Sequence, residues 1–165
     1  MIKYVLLAVL GALGWWVFID GSKLDEDQVR EFYATGHRAT LALDADTLCG
    51  QMADDLDGRI TSYIGPRQQV ELVSKEAACR NVEATFGQVE KMVALLGDEM
   101  PFDASYQINK ITLSDDNKRA TVEVRSVLDM AGARFVSRSV ETLIRDRRVV
   151  KSAHVEVRIW VSESP

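Results

Sequence analysis

Tyr33, His37 and Asp44 are the side chains of this 165-residue chain best spaced for proton transfer. His37 follows Tyr33 by four residues and precedes Asp44 by seven, steps that can return to one face of a helix. A phenol, an imidazole and a carboxylate gathered at a pocket mouth could move a proton to or from a bound molecule. The favoured expectation is plainer, a boundary histidine beside a packed tyrosine. No second histidine lies near in sequence, and His154 falls on the polar face of a terminal strand. Cys49 and Cys79 lie beside the inward stripes of two helices that should pack on each other. A bridge between them would close a loop of about 31 residues, worth on the order of 3–4 kcal/mol. Two small buried thiols are the alternative. No histidine stands at ligand spacing from either cysteine, so no metal site is expected. There is no Gly-rich phosphate loop, nucleophile elbow or metalloprotease helix, so no catalytic signature and no cofactor are expected.

The net charge of −5 argues against a nucleic-acid partner, which would need a basic stripe for the phosphates. The charge is uneven. Asp20 to Asp57 is acidic, and the last third carries most of the arginines. Two solvated faces would explain this. The sharper possibility is a surface for another protein, with Asp25, Glu26, Asp27 and Glu31 steering a basic partner and Arg158 and Trp160 at a docking face. Glu123, Arg125, Arg138, Glu141, Glu156 and Arg158 are expected together on an outer sheet face as cross-strand charge pairs.

The elements that would position these residues follow from periodicity. Asp25 to Leu43 reads as an amphipathic helix with Val29, Phe32, Tyr33, Gly36, Thr40 and Leu43 at three- and four-residue steps. Asp44 or Asp46 can cap a second helix carrying Leu48, Cys49, Met52, Ala53 and Leu56, ended by Asp57-Gly58. A short strand is expected over Arg59–Ile64. The longest helix starts at Ser74, and its stripe includes Phe86, Met92 and Leu96. From Tyr106 the period becomes two, with strands at Tyr106–Leu113, Arg119–Met130, Arg134–Arg145 and Arg148–Val161. Connections this short require an antiparallel meander. One charged face per strand requires helices on only one side of the sheet.

Residues 1–20 are expected to be an N-terminal transmembrane anchor and residues 21–165 one α+β domain. Tyr4 to Ile19 is an unbroken apolar run, with Lys3 before it and Asp20 after it. As a helix it covers roughly 24 Å, slightly short of a hydrocarbon core, and Trp15-Trp16 suits an interface. No small-x-small site follows, so an uncleaved anchor is preferred to a signal peptide. Lys3 orients the N-terminus inward, which places the domain in the periplasm of a bacterial inner membrane.

The order helix, short helix, strand, long helix, antiparallel meander resembles the nuclear transport factor 2-like superfamily. Ala42-Leu43-Asp44-Ala45-Asp46-Thr47-Leu48-Cys49-Gly50-Gln51-Met52-Ala53-Asp54-Asp55 looks like that family's helix-turn, Asp-x-x-x-Leu followed by Ala-Asp-Asp. The resemblance covers most of Asp25 to Val161. It implies the cone-shaped α+β fold of ketosteroid isomerase, helices packed on one face of a curved antiparallel sheet. The family holds isomerases, dehydratases, transport factors, toxin-immunity proteins and secretion components, and fold alone does not choose among them. Because the third helix is long enough to fill the cone, a non-catalytic protein-binding domain is expected. An immunity or inhibitor protein against a periplasm-acting toxin comes first and an accessory component of an envelope secretion complex second. A small isomerase or dehydratase using Tyr33, His37 and Asp44 is the alternative. An open apolar cavity with polar groups converging inside it would favour the enzyme.

Overall fold

The computed structural model describes residues 23–96, 102–130 and 132–163. Tyr4–Ile19, the expected span, lies outside them. Among the described residues no helix is long and apolar enough to cross a membrane.

Helix α1 (Glu26–Leu41) begins where the Asp25 carboxylate accepts from the Gln28 backbone N–H at 2.7 Å, with Glu26 and Asp27 in its first turn. Both features suit the positive end of the helix dipole. Helix α2 (Ala45–Gly50) follows at once, and β1 (Met52–Ile64) and β2 (Arg67–Ser74) form a hairpin. Helix α3 (Lys75–Leu96) leads to β3 (Phe102–Leu113), β4 (Arg119–Met130), β5 (Ala133–Asp146) and β6 (Val149–Glu163). The six strands form one curved sheet in the order β2-β1-β6-β5-β4-β3, with the helices on one face. All neighbours are antiparallel except β1 and β6. The four-stranded meander is therefore as expected from period two.

The other half of the sheet corrects the expectation. Met52, Ala53 and Leu56 belong to β1 and not to the second helix, which ends at Gly50. The start of β1 pairs with β6 at Met52↔Ser152, and the register shifts before Asp57↔His154. Gly58 ends no helix. A Cβ there would collide with the Val155 carbonyl oxygen across the β1–β6 pair, so glycine permits the strands' close approach. Strand β2 was not expected at all, and α3 begins one residue after Ser74.

The core lies between α1 and the meander. Leu24, Val29, Ala120, Val122, Val124 and Leu143 form one buried cluster, with Phe32, Tyr33 and Tyr106 packed against it. The Leu24 N–H donates to the Asn117 carbonyl at 2.6 Å, tying the approach to α1 to the β3–β4 turn. Cys49 and Cys79 are joined in a disulfide with Cα atoms 5.5 Å apart, linking α2 to the start of α3.

Candidate functional site

The cone is open. A cavity of about 470 Å³ lies between the helices and the concave face of the sheet. Its lining is mostly apolar, including Leu48, Leu56, Ile60, Val82, Leu128 and Val157. This corrects the expectation of a filled interior. Helix α3 lines the cavity with the small Ala78 and Val82, while Phe86 and Met92 do not reach it, and the buried Val89 lies farther along the helix.

One wall is aromatic. Tyr33 and His37 are four residues apart on α1 and both line the cavity. Tyr106 of β3 joins them, with ring centroids 6.1 Å from Tyr33 and 5.3 Å from His37. Phe32 meets Tyr33 edge-on at 5.3 Å. The geometry of α1 over α2 depends on Gln51, whose Nε2 donates to the Phe32 carbonyl at 2.8 Å. Gly36 leaves room for it, since a Cβ there would sit 2.8 Å from Gln51 Oε1.

The acid in the cavity is Glu141, not Asp44. Asp44 is the exposed N-cap of α2. It accepts from the Thr47 backbone N–H at 3.0 Å and from the Thr47 hydroxyl at 2.6 Å, bonds that hold its carboxyl below the usual carboxylate range. It does not line the cavity. Glu141 does. Its carboxyl is withdrawn from bulk water, and the exposure it keeps is toward the cavity. Desolvation pushes its pKa up, against the opposing pull of the Tyr33 hydroxyl and of Ser139, whose Oγ donates to Oε1 at 3.4 Å. Burial, with the nearby Glu141 charge second, pushes the Tyr33 phenol far up as well. The Tyr33 hydroxyl is buried and interacts with Glu141, yet makes no hydrogen bond of regular geometry among the described residues. It is thus a polar group poised for a better partner.

The expectation that Glu141 shares the outer face with Arg138 is corrected here. They are three positions apart, an odd step, so a period of two puts them on opposite faces. The signal available in the sequence was the alternation Ser139, Glu141, Leu143, in which a carboxylate shares a face with a core leucine that is fully buried.

The residues proposed for a partner surface are spread out. Asp25 caps α1, Glu26 pairs with Arg30 and Glu31 with Arg38, while Asp27 is exposed. Arg158 and Trp160 lie far from these acids in sequence, on the exposed face of β6. No group of three or more histidine, cysteine or acidic residues among the described residues could hold a metal ion.

No family model matches the chain, and no curated protein sequence matches it. Solved structures do. A nuclear transport factor 2-like protein of unknown function from Shewanella oneidensis is 11% identical with a TM-score of 0.60, covering 82% of this chain and 99% of that one. A conserved protein from Planctomyces limnophilus is 14% identical with a TM-score of 0.59, covering 84% and 98%. A protein from Novosphingobium aromaticivorans, whose name proposes a scytalone dehydratase, is 11% identical with a TM-score of 0.57, covering 85% and 87%. At these identities the likeness concerns the fold: the chain is built as a nuclear transport factor 2-like cone.

Proposed function

We propose that the cone binds a small, largely apolar molecule and that Glu141 exchanges a proton with it. The observation that carries this reading is a carboxyl with a raised pKa inside an open apolar cavity, facing a tyrosine hydroxyl that lacks a regular partner. A carboxyl whose pKa moves toward neutrality is suited both to give and to take a proton near neutral pH. The fitting reaction class is proton transfer at a carbon beside a carbonyl, leading to isomerisation, or protonation of a departing hydroxyl, leading to dehydration. Tyr33 would donate a hydrogen bond to the substrate oxygen, where charge develops. His37 and Tyr106 form an aromatic wall against which an apolar substrate would pack. The dehydratase name of one fold neighbour agrees with this class but adds no residue to it. No described residue speaks for toxin immunity or secretion. The Cys49–Cys79 disulfide supports placing the domain in an oxidising compartment, in keeping with an anchor at Tyr4–Ile19 that leaves the domain outside the cytoplasm.

The test is deuterium exchange at the α-carbons of a bicyclic ketone, followed by NMR with the full-length chain. The wild type should speed exchange, Glu141→Gln should abolish the effect, and Tyr33→Phe should weaken it about tenfold or more, in the range of a lost oxyanion donor. Asp44→Ala should leave it unchanged. Exchange that survives Glu141→Gln would overturn the assignment.

A further inference from the structure

Away from the cavity, the opposite face of the sheet carries three arginines abreast. Arg125 pairs with Arg138 across β4–β5, and Arg138 with Arg158 across β5–β6. All three are exposed, and none forms an ion pair among the described residues. Like charges directly opposite one another on a sheet oppose folding, so setting the three side by side is a cost to the fold. The row lies in a surface trough of about 630 Å³. Arg138 is held in place: its guanidinium carbon sits 5.9 Å over the Trp160 ring, and Trp160 stacks on Tyr63 at 5.6 Å with planes 10° apart. A guanidinium resting on an aromatic platform loses less freedom when it binds.

We infer that the row Arg125–Arg138–Arg158 is a binding site for an acidic peptide segment of a partner protein, read by its carboxylates. The width of the positive strip favours this occupant. The next row along the strands is Glu123–Val140–Glu156, about 6.8 Å away at two residues' rise. The strip is therefore one residue wide and bordered by acids on that side. Three strands span about 9.6 Å, and carboxylates on alternate residues of an extended peptide are about 6.8 Å apart, so two fit among three guanidiniums. A nucleic-acid backbone, with a charge at every step, would spread onto the glutamate row and meet the net charge of −5 on the chain. The sign of the site is the reverse of that given by the acidic residues of α1. It accepts acids, and its anchor includes the Trp160 and Arg158 that sequence alone had marked.

Fluorescein-labelled hexaglutamate and a labelled hexathymidylate, each titrated against the full-length chain by anisotropy at two salt concentrations, test the inference. Hexaglutamate should bind, and binding should weaken with salt because the pairs are exposed. Arg138→Gln with Arg158→Gln should weaken it about tenfold, two exposed ion pairs' worth. Glu123→Gln with Glu156→Gln should strengthen it, a gain that a misfolded variant could not give. Absence of hexaglutamate binding at low salt, affinity indifferent to the arginines, or tighter binding of hexathymidylate would overturn the proposal, the last by assigning the trough to nucleic acid.

Discussion

Removing the Cys49–Cys79 bridge should cost this domain a large share of its thermal stability. The cysteines are 30 residues apart in sequence. In the chain-entropy treatment, closing a loop of that size withdraws about 12 cal/mol/K from the unfolded chain, or about 3.6 kcal/mol at 25 °C. Unfolding entropy near 2.1 cal/mol/K per residue over about 140 residues is ~0.3 kcal/mol/K, so the midpoint should fall by about 12 °C. The effect should also be local. The bridge joins α2 to the first turns of α3, and the cavity-lining Leu48, Gln51, Ala78 and Val82 flank the two cysteines. In the Cys49→Ala, Cys79→Ala variant the amides at the start of α3 should exchange with deuterium faster than those of β4 and β5. Thermal denaturation of this variant, beside wild type with and without reductant, measures the first effect, and hydrogen exchange read by mass spectrometry measures the second. A midpoint within about 3 °C of wild type would refute the reasoning, because it would put the loop-closure contribution below ~1 kcal/mol.

Two other outcomes follow from the structure. Glu141 holds its proton to higher pH in the folded state than in the unfolded chain, so stability should fall as pH rises between the ordinary carboxylate range and the raised folded pKa. Glu141→Gln should remove that decline, leaving the two proteins alike at acid pH and the variant more stable at neutral pH, as urea melts at several pH values would show. The β5–β6 turn places Arg147 at φ 46° and Arg148 at φ 74°, the left-handed conformation that such hairpins fill with Asn-Gly. Arg147→Asn with Arg148→Gly should therefore stabilise the fold by about 1 kcal/mol, measured by the same melts.

What could be read in advance was what local pattern dictates. The meander followed from the alternation from Tyr106 onward, clearest in β4, where Ala120, Val122 and Val124 are buried and the residues between them are exposed. Strand β2 was invisible because Arg67 to Leu72 are all exposed, so its one short alternation, Val70-Glu71-Leu72, marks no buried face. The first half of β1 was read as helix because Met52, Ala53 and Leu56 fall at helical spacing. Pairing with β6, a long-range contact, overrode that pattern. Tyr33 and His37 were found from spacing on one helix. The face of Glu141 was legible in its alternation with Leu143, but its meeting with Tyr33 depends on bringing β5 under α1, which sequence separation conceals. The length of α3 suggested a plug, but length does not say which of its turns reach the cavity, and the ones that do carry Ala78 and Val82.

Glu141 lies in the open cone with its pKa raised by burial. Infrared spectroscopy of the full-length chain, recorded as a difference between wild type and Glu141→Gln across a pH series, tests it most directly. A protonated-carboxyl C=O band belonging to Glu141 should persist to higher pH than an exposed glutamic acid allows and should shift when a bicyclic ketone fills the cavity. A Glu141 that ionises with the exposed carboxylates, or a band indifferent to the ketone, would contradict it.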